Sequence, residues 1–174
     1  GDGSKWGMKI NYSLENQVLS TMGPLKIIDN LPENFLVMNG DILTNLDFAV
    51  FHDQHVQNGN AFTISSIKRH HQIDYGVLTT NDAGILIKFK EKPDVNYEVS
   101  MGVYMVNRTT LKLIPESQPY GFDDLMIDLL SHEKIAHVQP FDGYWLDIGR
   151  PDDYRTAVDI FEQEQKKFLG EKNE

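Results

Sequence analysis

Apolar and polar residues alternate or cluster along this chain in short blocks, and the blocks predict an alternation of strands and helices. "MKINYS" (8–13) alternates, as a half-buried strand does. "STMGPLKIID" is mixed and predicts a short helix with Ser20 or Thr21 at its cap. "FLVM" (35–38) is a compact apolar run suited to a strand covered on both faces. "FAVFHDQHVQNGN" carries apolar residues at 48, 51 and 56 and ends in Asn-Gly, which predicts a helix with a glycine stop. "AFTISSIK" predicts a strand. "YGVLTTNDAGILIKFKEKP" predicts two strands around a turn at 81–84, closed by Pro93. "VSMGVYMVN" predicts a further apolar strand.

"TTLKLI" and "FDDLMIDLLS" are helical in pattern, the second with Leu125, Leu129 and Leu130 on one stripe. "IAHVQP" and "YWLDI" predict short strands. A last helix begins at Pro151, with acids in its first turn, Lys166 and Lys167 in its last, and Gly170 behind them. Its Tyr154, Val158, Phe161 and Phe168 fall near one face, suited to docking on its own sheet or on a second subunit. Docking on its own domain is the simpler expectation, and a homo-oligomer stays open. Strands alternating with helices, interrupted by one hairpin, predict an α/β sandwich with a mixed sheet.

Length changes this picture little: 174 residues make one domain, 1–174, with a sizeable core. Charge says more. A formal net charge of −10 argues against non-specific binding to nucleic acid or an anionic membrane, both of which need clustered Lys and Arg. It leaves room for a phosphate substrate, because a metal ion can bring the positive charge. The chain has no cysteine, which excludes disulfides, thiolate metal sites and cysteine catalysis and suits the cytoplasm. No apolar run approaches a membrane span.

Candidate chemistry gathers at strand ends. "FLVMNGDIL" runs into Asn39-Gly40-Asp41, and "GYWLDIGRP" places Asp147 between a short strand and a glycine. In open α/β sheets, ligands bind beyond the carboxyl ends of strands. An acid there suits Mg²⁺, which takes one or two carboxylates and fills its other positions with water and phosphate oxygens. Each acid could instead cap a turn or the following helix, and spacing alone leaves both readings open. Lys92 in "KFKEKP" could serve as a point charge for a phosphate or be an ordinary solvated strand end. His52 and His55 lie three apart on a helix, and a solvated face is the simpler reading than a zinc site. His70-His71 is expected in a solvent-facing loop.

Seven fragments, in order, resemble the sugar-nucleotidyltransferases, the sugar-1-phosphate pyrophosphorylases: "GDGSKWGMKINY", "ENQVLSTMGPL", "FLVMNGDIL", "DYGVL", "FKEKP", "SMGVYMVN" and "GYWLDIGRPDDY". The branch that includes mannose-1-phosphate and heptose-1-phosphate guanylyltransferases is the most similar. The resemblance implies a Rossmann-like three-layer α/β/α sandwich with a mixed, mostly parallel sheet. It implies that an NTP and a sugar 1-phosphate give an NDP-sugar and pyrophosphate. It assigns Asp41 and Asp147 to a catalytic Mg²⁺ and makes Lys92 the third catalytic residue, on the sugar phosphate. It places Glu91 on the sugar hydroxyls and Gly76 along the sugar. Thr21 and Gly23 would lie along the nucleoside, with Asn39, Gly40, Ser100 and Gly102 completing the substrate-binding set.

The family's glycine-rich loop, of the form G-G-x-G-T-R…P-K, and its first strand are expected upstream of "GDGS". Two substitutions also depart from the family pattern: "STMG" stands for "GTAG", and "SMG" for "NAG". These departures keep a second reading in play, a non-catalytic regulatory or binding subunit with the same fold. A metal-dependent glycosyltransferase is a weaker third, since no Asp-x-Asp follows a strand.

Overall fold

Regular structure begins where apolar residues recur at a fixed period. The computed structural model describes residues 1–132 and 136–169. Strands are β1 (Asn34–Met38), β2 (Ile42–Thr44), β3 (Phe62–Gln72), β4 (Val77–Thr80), β5 (Leu86–Lys90), β6 (Asp94–Asn107), β7 (Ala136–Phe141) and β8 (Trp145–Asp147). Helices are α1 (Phe48–Gln57), α2 (Phe122–Ser131), α3 (Pro151–Gln163) and α4 (Gln165–Leu169). A four-stranded sheet runs β1-β6-β3-β7, and β2-β8 and β4-β5 form two-stranded sheets. The α/β class with a mixed sheet is as the sequence predicts.

The chain forms two compact units. The first unit comprises Gly1–Val37, Phe48–Thr63 and Tyr104–His137. Phe51, Phe62 and Leu125 are fully buried in it, and the Tyr104 and Phe122 rings stack at 4.7 Å. Tyr120 closes the unit: its carbonyl accepts from the N–H of Met22 and Gly23 at 2.9 and 3.0 Å, and its hydroxyl donates to Asp128 at 2.6 Å. Burial, and then the Asp128 carboxylate, push the Tyr120 phenol far above its ordinary pKa.

Several elements differ from the sequence pattern. Residues 8–13 form no strand; Met8, Tyr12 and Leu14 are exposed, so no neighbour rewards the alternation. Gly23–Ile27 is a 3₁₀ turn capped by Met22 without a side-chain bond, in place of a helix capped by Ser20 or Thr21. Residues Arg108–Lys112 are likewise 3₁₀. β1 is an edge strand, and Leu36 and Met38 are exposed instead of covered. Leu130 leaves the buried stripe of Leu125 and Leu129 because it falls one position past it, 76% exposed. His70 and His71 are exposed but lie in β3, where His70 meets Asp94 at 2.8 Å.

His55 is buried, contrary to the solvated-face reading. With Nε2 protonated, it donates to Asn34 Oδ1 at 3.2 Å, and its Nδ1 accepts from the Thr63 hydroxyl at 2.8 Å. Asn60 donates to Thr63 at 3.0 Å, and Asn107 to Asn34 at 2.9 Å. Every partner suits the neutral imidazole, and burial, then His52 and His137, lower its pKa.

The second unit comprises Met38–Asp47, Ile64–Val103 and Val138–Glu174. Within it the Phe168 ring meets Phe161 at 5.9 Å and Tyr144 edge-on at 5.4 Å. The C-terminal helices thus dock on their own unit through these rings, while Tyr154 stays 58% exposed. Gly170, expected as the helix stop, lies outside the described residues.

Candidate active site

The second unit carries the acid pair. β1 ends at Met38, and the Asn39 N–H donates to the Gly102 carbonyl at 2.9 Å, which fixes the start of the Asn39-Gly40-Asp41 turn. The chain then forms β2, a strand the sequence pattern did not announce. It pairs antiparallel with β8 in the register Ile42↔Asp147, Leu43↔Leu146, Thr44↔Trp145. The ladder continues past the strand end, where Ile148 N–H donates to the Asp41 carbonyl at 2.8 Å. Two acids far apart in sequence are thereby held on neighbouring strand ends.

Their side chains face one small space. A Cβ placed on Gly149 would lie 3.1 Å from Asp147 Oδ1 and 3.7 Å from Asp41 Oδ2. Asp147 Oδ1 also accepts from the Gly149 N–H at 3.0 Å. The Asp41 carboxylate makes no hydrogen bond or ion pair among the described residues, so it caps no turn. Nor does Asp147 cap α3, whose N-cap is Arg150 with no side-chain bond. Two like charges facing one space favour a cation between them. No group of three or more His, Asp or Glu that could hold a metal occurs among the described residues. Two carboxylates with open space fit Mg²⁺, which keeps positions for water and substrate oxygens, better than a closed structural site.

Three residues converge beside the acids. Gly102 has φ +72°, and a Cβ there would lie 2.8 Å from Asn39 Nδ2 and 2.9 Å from Ile42 Cδ1. Its N–H donates to Ser100 Oγ at 3.2 Å. Asn39, Ser100 and Gly102 therefore form one connected corner, and Gly102 is glycine because the backbone approaches Asn39 and Ile42 so closely. At Gly40 a Cβ would meet nothing within 4 Å, so no contact there requires glycine.

The hairpin β4-β5 brings Gly76 and Glu91 together. A Cβ on Gly76 would lie 2.7 Å from the Phe89 ring and 3.1 Å from Glu91 Oε2. Lys92 follows with φ +40°, an uncommon conformation for a side-chain-bearing residue. It is exposed and has no ion pair among the described residues. Thr21 and Gly23 belong to the first unit. Thr21 Oγ1 accepts from Phe122 N–H at 2.9 Å. A Cβ on Gly23 would lie 2.9 Å from Leu19 Cβ, so packing alone accounts for that glycine. Met22 of "STMG" is buried in the same unit.

The model of the nucleotidyl transferase family matches residues 1–164. The chain belongs to that family. Among its relatives, probable mannose-1-phosphate guanylyltransferase 3 of Oryza sativa subsp. japonica is 31% identical over 165 residues, covering 90% of this chain and 45% of that protein. The mannose-1-phosphate guanylyltransferase catalytic subunit beta of Dictyostelium discoideum is 31% identical over 163 residues, with 90% and 45% covered. The chain spans about half the length of these relatives. The structure of HddC from Yersinia pseudotuberculosis superposes with a TM-score of 0.60 at 24% identity, covering 88% of this chain and 67% of that one, a likeness of fold. The family resemblance carried by the seven fragments is borne out.

For this nucleotidyl transferase, sequence reasoning missed the residues that hold the acids in place. Gly149 was visible only as the glycine after Asp147. Asn45 accepts the Tyr144 N–H at 2.7 Å and pins the far end of the β2-β8 pair. Trp145 Nε1–H donates to the Met101 carbonyl at 2.9 Å, tying β8 to the corner at Gly102. No periodicity signals either contact.

Proposed function

We propose that the full-length protein transfers a nucleotidyl group from an NTP to a sugar 1-phosphate, giving an NDP-sugar and pyrophosphate. The names of its relatives make GTP and mannose 1-phosphate the first pair to try. The observation that carries the reading is the acid pair: Asp41 and Asp147, at the ends of paired strands, with both carboxylates beside Gly149.

The sugar-phosphate oxygen is already ionised at neutral pH, so it can attack the α-phosphorus with no protein base and no covalent intermediate. Pyrophosphate leaves in line. The catalytic problem is bringing two anions together, which positioning and neutralisation solve. Asp41 and Asp147 would hold Mg²⁺, which would supply positive charge for the phosphates. Lys92 adds a point charge on the sugar phosphate. Glu91 accepts hydrogen bonds from sugar hydroxyls, and Gly76 presents its backbone to the sugar. Asn39, Gly40, Ser100 and Gly102 complete the substrate-binding set.

The test is pyrophosphate release by the full-length protein, with each NTP against mannose 1-phosphate, with and without Mg²⁺. One NTP should turn over in a Mg²⁺-dependent manner, and Asp41→Asn and Asp147→Asn should each abolish it. Wild-type rates in either variant would remove the acid pair from the reaction. A protein that binds the nucleotide sugar but never turns over would support the regulatory-subunit reading instead.

A further inference from the structure

Arg69 is a half-buried arginine on β3 whose charge meets no carboxylate among the described residues. Its guanidinium lies over the Trp145 ring, 4.7 Å from the centroid. It has no ion pair or side-chain hydrogen bond among the described residues, in a chain whose net charge is −10. A contact with an aromatic ring consumes none of a guanidinium's five N–H donors as conventional hydrogen bonds. The platform beneath it is fixed, since Trp145 is paired in β8 and its Nε1–H is held by the Met101 carbonyl at 2.9 Å.

Side chains two apart on a strand share a face, so Trp145 and Asp147 point to the same side of β8, about 7 Å apart along it. Arg69 therefore lies against the face of β8 that also carries Asp147. An anion drawn to that acid pair by a bound cation would arrive beside a preorganised arginine fork, the group best matched to phosphate oxygens.

We propose that Arg69, held over the Trp145 ring, is a phosphate-binding residue of this site. The proposal rests on the nucleotidyltransferase reading above. Two phosphates could be its ligand, that of the sugar 1-phosphate or the triphosphate of the NTP, and kinetics separates them.

The experiment replaces Arg69 in the full-length protein by Met, which keeps an apolar stem over the indole, and by Lys, which keeps the charge without the fork. KM for each substrate, kcat, Tm and calorimetric binding of sugar 1-phosphate are measured. Arg69→Met should raise one KM by about tenfold or more at nearly unchanged Tm, with Arg69→Lys between it and wild type. A raised KM for sugar 1-phosphate, matched by weaker binding in calorimetry, identifies the sugar phosphate; a raised KM for the NTP identifies the triphosphate. If Arg69→Met does not fold, Arg69→Gln is read in its place. Unchanged KM values and unchanged binding in the neutral variant would overturn the proposal and leave Arg69 as a cover for the indole. Asp41→Asn, run in parallel, separates the two failures. If it stays active, the function reading falls. If it is dead while the neutral Arg69 variant is normal, only the Arg69 assignment falls.

Discussion

Gly102→Ala should destabilise the protein by about 1.5–3.5 kcal/mol, more than a surface glycine replacement. At φ +72° an alanine meets the left-handed penalty, roughly 1–2 kcal/mol. Its Cβ would also lie 2.8 Å from Asn39 Nδ2 and 2.9 Å from Ile42 Cδ1, where real Cβ contacts are essentially never found. Gly102 is buried and Ile42 half-buried, so Ile42 has little room to yield, whereas the exposed Asn39 side chain can turn away. Forcing Ile42 off its rotamer adds about 0.5–1.5 kcal/mol. Ile42 is the register partner of Asp147, so the strain falls on the acid pair as well. Urea unfolding of the full-length protein gives the measurement, with Gly40→Ala as the control because a Cβ there meets nothing within 4 Å. A loss under about 0.5 kcal/mol for Gly102→Ala, or equal losses for the two variants, would refute the close-approach argument.

Two further predictions concern the first unit. The folded state holds His55 with a pKa below its unfolded value of about 6.5, so its contribution is present above that pH and is lost as pH falls toward the folded value. Unfolding free energy should therefore drop between about pH 7.5 and 5. The drop should be smaller in His55→Gln, and an identical slope in the two proteins would show that His55 is not its source. Tyr120→Phe removes a 2.6 Å bond to a carboxylate and should cost about 1–2 kcal/mol in denaturant unfolding. Because the Tyr120 phenol is raised in the fold, its contribution is complete below the unfolded pKa of about 10 and is lost above it; the variant should show a shallower alkaline decline.

What the sequence disclosed depended on whether a residue's signal is local. Helices α1, α2 and α3 announced themselves by period and punctuation: Gly59 takes φ +62° just after α1, and Pro151 opens α3. The β4-β5 turn was equally legible, because the Asn81 side chain accepts the Ala83 and Ile85 N–H groups within the turn itself. Residues 8–13 show the opposite case. Alternation describes a strand only if a neighbour exists, and exposed Met8, Tyr12 and Leu14 have none among the described residues. His55 failed for a related reason. Its burial depends on Asn34, Thr63, Asn60 and Asn107, brought together from other segments, and helical spacing carries no trace of them.

The acid pair lies between these cases. Each carboxylate was visible as an acid beside a glycine at a strand end, yet the same pattern describes an ordinary cap. Pairing decides between the two, and pairing is not a property of either segment. With Ile42 opposite Asp147 and the Ile148 N–H on the Asp41 carbonyl, the two segments are brought together, and both carboxylates come to lie beside Gly149. Asp41 then has no backbone donor to cap and no cation to meet among the described residues. A fold gains nothing from holding an unpaired carboxylate next to a second one, since like charges repel at that range. The arrangement makes physical sense when a cation and its phosphate ligands complete it, and that is why the acid pair, more than any single residue, carries the functional reading.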